Sequence, residues 1–173
     1  MHKAEYPKVF LKNVMSYFWQ GIKPQKWLLF TLVASIIAVN ITTVIVPLFY
    51  KNFFDTIVKG GDRNGIAEQL LGILVSIGLL QGLIWLLYRV AEFCNNNYQP
   101  RTIARLKQNS YNYLMDHSYS FFAGNFVGSL VQRVNRFGRA FERLSDHLVW
   151  NVIPLAVKIT SILVVVFFIN RWI

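Results

Sequence analysis

Cysteine is nearly absent: Cys94 stands alone among 173 residues, which excludes an intramolecular disulfide and any CxxC metal site. Cys94 reads as a packed apolar side chain near the end of a membrane helix. Acidic residues are scarce too, 8 against 18 Lys and Arg, and the net charge is +10. Histidine occurs only as His2, His117 and His147, and no pair of them has zinc-ligand spacing. They read as solvated or helix-capping. Asp116 with His117, and Asp146 with His147, do not make catalytic acid–base pairs, because helix neighbours point about 100° apart and no nucleophile stands near them. A phosphate-binding loop is missing as well. The nearest stretch, Gly124 to Ser129, lacks the lysine and following hydroxyl that a GxxxxGK[ST] loop uses on phosphates and magnesium. No catalytic residue and no metal ligand is therefore assigned. The N-terminus does not read as a signal peptide, because mixed residues precede the first apolar run and no short apolar core with a small-residue cleavage site appears.

What remains is apolar bulk and separated positive charge. Hydrophobic residues make up 54% and aromatics 16% of the chain. Long uncharged runs alternate with basic segments, the pattern of a polytopic membrane protein. Residues 1–26 carry Lys3, Lys8, Lys12, Lys23 and Lys26 against Glu5 alone. Within them Val9, Phe10, Val14, Tyr17 and Phe18 recur at helical spacing opposite Lys8 and Lys12, which suits an elbow lying in the membrane interface; a frayed basic tail is the alternative.

Three spans follow. Trp27 to Tyr50 holds no charge and is bounded by aromatics at belt depth. Its Asn40, Thr42 and Thr43 are expected to face other helices, together with the bend at Pro47. A polar link, residues 51–69, contains the turn-forming stretch from Gly60 to Gly65. Leu70 to about Phe93 is the second span, with Gly78 and Gly82 at GxxxG spacing, either ordinary close packing or a dimer face. Leu148 to Ile169 is the third, although it contains Asn151, Pro154 and Lys158. A lysine within a span costs roughly 2.5–3.5 kcal/mol on insertion scales, so Lys158 lines a substrate-facing cavity, is paired, or snorkels. Asn40 and Lys158 are the candidate substrate pathway.

Between the second and third spans lies a polar region, residues 94–147, that outruns any bilayer. From Leu70 to about His117 a helix would reach on the order of 70 Å against a hydrocarbon core of about 30 Å. The excess must form a helical hairpin with Phe121 and Phe122 near its tip. The incoming arm is expected to be kinked or interrupted at Pro100 and to share one face among Ile103, Leu106, Tyr113 and Leu114. In the outgoing arm Leu130, Val134, Phe137, Phe141, Leu144 and Leu148 form a heptad-like seam, with Arg133, Arg136, Arg139 and Arg143 off it. The seam calls for a covering helix, either the incoming arm or arms from another copy or half. Basic residues concentrate before the first span and in the hairpin, so both are expected to be cytoplasmic and residues 51–69 external. Nucleic-acid binding is disfavoured, because the arginines flank a packing seam and base-stacking aromatics are missing.

Phe121-Phe122 followed by Gly128-Ser129-Leu130-Val131-Gln132-Arg133-Val134-Asn135 resembles the first cytoplasmic loop of type I ABC exporter transmembrane domains. Leu114 to His117 is similar to the leucine-rich lead into that loop, and Pro47, Leu48, Phe53 and Asp55 to the end of the family's first span. Where the family carries Asp three residues after the aliphatic, this chain has Phe137, with Asn135 the nearest polar residue. The resemblance implies an all-α polytopic fold corresponding to the N-terminal, three-span portion of one exporter half, integral to a plasma or inner membrane. It also implies a coupling helix at Tyr119, Ser120, Phe121, Phe122, Ala123, Gly124 and Asn125, docking on a nucleotide-binding domain, with Gly128, Arg133 and Asn135 as the loop motif. ATP and magnesium would bind that partner domain. A second transporter half, membrane lipid and a transported substrate complete the implied partners, and the whole transporter would be an ATP-hydrolysing translocase. A stand-alone three-span scaffold or adaptor is the alternative.

Overall fold

The protein is seen in a computed structural model that describes residues 10–60, 63–124 and 126–169, without the side chains of 63, 64, 120, 123, 124, 168 and 169. The expected elements that reach into residues 1–9 and 170–173 lie partly outside them. Among the described residues there is no strand. Helix α1 is Leu11–Ile22, and a single 3-10 turn, Lys23–Gln25, leads into α2, Lys26–Lys59. Helix α3 runs Arg63–Met115, the short α4 Tyr119–Gly124, and α5 Val127–His147. A π-helical turn, Leu148–Val152, precedes α6, Ile153–Ile169.

Several boundaries differ from the sequence reading. The polar link expected over 51–69 shrinks to three residues, because both helices run on past their apolar runs. Gly60, at φ 60°, stops α2 in the left-handed conformation that glycine adopts without a Cβ penalty. Pro100 does not interrupt α3, which stays helical from Arg63 to Met115. In the third span Pro154 offers no N–H to the carbonyl of Trp150, and its ring crowds that carbonyl. The chain answers with the wider turn just before it, where Ile153 N–H donates to Leu148 O.

The chain divides into two compact units. One comprises the described residues within Met1–Leu29 and Asn96–Ser145. Here the second half of α3 and α5 pack antiparallel: Tyr98 lies against Phe141, Gln99 Nε2 donates to Glu142 O at 3.5 Å, and Ile103 and Lys107 crowd Gly138. A Cβ on Gly138 would sit 2.9 Å from Lys107 Cε, so the arms close up where this residue lacks a side chain. Helix α1 covers the same seam. Phe18 stacks on Phe137 at 5.1 Å and meets Phe141 edge-on at 5.2 Å, while a Cβ on Gly21 would fall 2.7 Å from Leu106 Cδ2. Each such buried aromatic pair adds about 0.5–1.5 kcal/mol beyond the area it removes from water. Thr102 donates to Tyr98 O at 2.8 Å, and burial pushes the Tyr98 hydroxyl up to about 12 against the opposing effect of its hydrogen bond with Ser145.

The seam itself is corrected. Leu130, Val134 and Phe141 are buried as expected and Phe137 is half-buried on Phe18, but Leu144 and Leu148 are exposed, and Gly138, Ser145 and Val149 take the inward positions. A straight helix drifts about 20° per heptad from a 3.5-residue repeat, and Gly138 and Ser145 lie on the buried face that this drift brings inward. On α3, Leu106 is buried and Tyr113 is 66% exposed, while Tyr98 and Thr102 carry the contact. The arginines at 133, 136, 139 and 143 are all exposed.

The other unit comprises the described residues within Phe30–Asn95 and Asp146–Ile173. Its helices are apolar nearly all round. Leu32, Ser35, Ile36, Val39, Asn40 and Val46 give α2 one buried face. On α3 only Ile77, Ala91 and Cys94 are buried, and Leu79, Trp85 and Phe93 stand open. On α6, Pro154, Val157, Ser161 and Val165 form a partly covered stripe. Among the described residues three helices are long and apolar enough to cross a membrane, and the protein is an integral membrane protein.

Candidate functional site

Two places hold the residues that sequence reasoning singled out. At membrane depth, Asn40 is 2% exposed and its Nδ2 donates to Ile36 O at 2.7 Å. Thr42 and Thr43 donate to Ala38 O and Val39 O, each at 2.8 Å. The expectation that these residues face other helices holds for the buried Asn40 and is corrected for Thr43 and Pro47, which are exposed. One turn back along α2 is a sufficient acceptor. Lys158 is exposed on α6, off the partly covered stripe, and makes no polar contact with any described residue. Nothing joins Lys158 to Asn40 through a hydrogen bond or ion pair. The Gly78 and Gly82 face is equally open, with nothing within 4 Å of a Cβ placed on either.

At the hairpin tip, the end of α3 and the start of α4 are separated only by residues 116–118. Helix α3 leaves carbonyls at Asn112, Tyr113 and Leu114 that its own ladder cannot fill. Asp116 N–H donates to Asn112 O at 3.2 Å and His117 N–H to Leu114 O at 3.1 Å. His117 Nδ1 lies 2.8 Å from Tyr113 O, and since a carbonyl only accepts, the proton is on Nδ1. Phe121 N–H donates to Ser118 O at 3.0 Å and opens α4.

The tip's rings form a connected series. His117 meets Tyr113 edge-on at 4.9 Å and Phe121 at 4.5 Å, and Phe121 meets Phe122 edge-on at 5.5 Å. Phe121 and Phe122 are half-buried by these contacts, whereas Tyr119 is 87% exposed. Of the other predicted tip residues, the side chains of Ser120, Ala123 and Gly124, and the whole of Asn125, lie outside the described residues. Gly128 opens α5 beneath the Phe126 ring, where a Cβ would stand 2.7 Å from Phe126 Cε1. The Phe126 carbonyl accepts from Ser129 and Leu130 N–H at 2.9 and 3.4 Å, and its ring is 82% exposed. Arg133 is exposed and Asn135 half-buried farther along α5.

Sequence reasoning missed Phe126 as an outward aromatic. The available signal was its place immediately before Val127-Gly128, where an N-cap residue flanking a glycine has no covering side chain. Among the described residues no group of His, Cys, Asp and Glu is placed to hold a metal.

The sequence pattern of the ABC transporter transmembrane region matches residues 28–172. Among curated proteins, the chain is similar to the mitochondrial iron–sulfur clusters transporter ATM1 of Yarrowia lipolytica. That match is 17% identical over 156 residues, covering 89% of this chain and 22% of the relative. It is also similar to ABC transporter B family member 6 of Dictyostelium discoideum, 22% identical over 152 residues, covering 88% of this chain and 21% of that protein. The chain thus spans about a fifth of the length of these relatives. No solved structure matches. With the pattern covering all three spans and the hairpin between them, this chain belongs to the ABC transporter transmembrane region family.

Proposed function

We propose that this chain forms the front of the substrate-translocating membrane domain of an ATP-driven exporter, coupled through its hairpin tip to an ATPase domain. The observation that carries the reading is the tip itself. The arms of α3 and α5 pack on each other from Tyr98 and Ser145 onward, and beyond them the chain turns through α4 with Tyr119 and Phe126 almost fully exposed. Large exposed aromatics at the end of a braced support are what a docking contact with a grooved partner requires. ATP and magnesium bind that partner domain, and a second transporter half completes the pathway. Basic residues before the first span and in the hairpin favour a cytoplasmic N-terminus and hairpin.

The test is the Tyr119→Ala, Phe126→Ala double variant of the transporter, reconstituted with its ATPase domain in proteoliposomes. Substrate-stimulated ATP turnover should fall about tenfold, the scale expected when two exposed aromatic anchors are truncated. Undiminished stimulation and transport would show that these two aromatics do not couple the domains, and a parent chain that supports neither with an ATPase domain would be left as a three-span scaffold or adaptor.

A further inference from the structure

Helix α3 ends without the usual device. Many helices stop on a glycine in the left-handed conformation, whose backbone N–H groups turn back to the last carbonyls. No glycine lies between Met115 and Tyr119, and among the described residues Gly60 is the one residue with that conformation. His117 does the work instead. Of the three carbonyls met at this end, it takes two, Leu114 O through its backbone N–H and Tyr113 O through Nδ1. The same ring then reaches across Ser118 to Phe121 in the first turn of α4, at 4.5 Å. One side chain therefore fixes the last turn of one helix and touches the first turn of the next.

From this we infer that His117 is a positioning residue, which sets the angle of α4 against α3 and so the direction in which Tyr119 is presented to the ATPase domain. The inference rests on the docking function proposed above. Two properties suit imidazole to the task. Its donor lies close to the backbone, within reach of the carbonyl four residues back, and its flat ring offers an edge to Tyr113 while facing Phe121 obliquely, at 45°. Alanine keeps the backbone bond to Leu114 and loses both side-chain contacts. Asparagine keeps an N–H donor near the place of Nδ1 and loses only the ring.

The experiment uses the transporter with its ATPase domain and carries Tyr119→Cys as the reporter, oxidised against single cysteines introduced along the ATPase domain's docking groove. With His117 intact, disulfide cross-linking is expected, and its absence would sink the docking reading itself. Given cross-linking, His117→Ala should reduce its yield about fivefold, and in the transporter that keeps Tyr119 it should lower the substrate-stimulated kcat for ATP about fivefold, as a misdirected contact does. KM for ATP should stay unmoved, because the nucleotide site is elsewhere. His117→Asn should recover at least half of both losses, a rescue that also shows the chain still folds and inserts. Cross-linking in His117→Ala equal to that of the parent would overturn the positioning role, and an Asn variant no better than Ala would overturn the part assigned to the hydrogen bond with Tyr113 O.

Discussion

Helices α5 and α6 follow one another almost without a break, yet they pack by opposite rules. Along α5 the inward residues Leu130, Val134, Gly138, Phe141 and Ser145 are separated from exposed arginines on every turn. Along α6 apolar residues occupy every side, and those left exposed, Leu155, Ile159, Ile162 and Leu163, differ little in chemistry from the partly covered Val157 and Val165. In water, burial is driven by removing apolar surface, so the sequence must mark one face. In a bilayer the lipid tails are as apolar as leucine, so composition marks a helix as spanning without marking its packed side. The hairpin unit is held together by the first rule and the membrane unit by the second.

The hairpin offers the largest effect with which to break this comparison. Phe141 is 3% exposed and meets Phe18 and Tyr98, so Phe141→Ala removes the ring at which α1, α3 and α5 converge. A cost of about 3–5 kcal/mol is expected, read as a lowered unfolding midpoint of the detergent-solubilised protein and as early proteolysis within residues 96–145. A loss under a third of that size would mean that the aromatic cluster fills space without bracing the arms.

Gly21 sharpens the same point by overpacking. Its added Cβ would meet Leu106 Cδ2 and Cγ at 2.7 and 2.9 Å, and the second of these is not a free side-chain end that can swing away. Gly21→Ala should cost about 1–3 kcal/mol and loosen α1 from the arms, seen as faster amide exchange over residues 11–22. Gly138→Ala is the internal control. There the nearest atom is the flexible Lys107 Cε, which can yield, so the smaller effect is expected at the position that looks equally crowded.

How much of this was legible follows from the same two rules. The hairpin, its tip and the apolar seam were readable because arginines and phenylalanines alternate at helical spacing. The seam's true course was not, because Gly138, Ser145 and Thr102 contribute by being small or self-satisfied, and neither property shows as hydrophobicity. At the tip, Phe121 and Phe122 drew notice as a pair, yet the structure ties them to His117 and turns Tyr119 and Phe126 outward. The ring contacts of Phe121 begin in a three-residue turn, residues 116–118, that no periodicity describes. In the spans, the presence of three long apolar helices was legible and their sidedness was not. Lys158 and Asn40 drew equal attention as polar residues, and one proved exposed and the other buried.

The smallest expected effect, at Leu79, is the most discriminating, because the same substitution at Leu106 on the same helix serves as its reference. Leu106 and Leu79 both belong to α3, but Leu106 is 2% exposed within the hairpin unit and Leu79 is 71% exposed within the membrane unit. Leu106→Ala should cost about 2–5 kcal/mol through lost transfer energy and the cavity beneath Gly21. Leu79→Ala, measured in lipid nanodiscs, should change stability by less than about 0.5 kcal/mol, because alanine and leucine both leave that face to acyl chains. Equal losses at the two sites would show that the Leu79 face is packed against protein in the assembled transporter. The open faces of α3 and α6 would then obey the same packing rule as the hairpin, with their partners supplied from outside this chain.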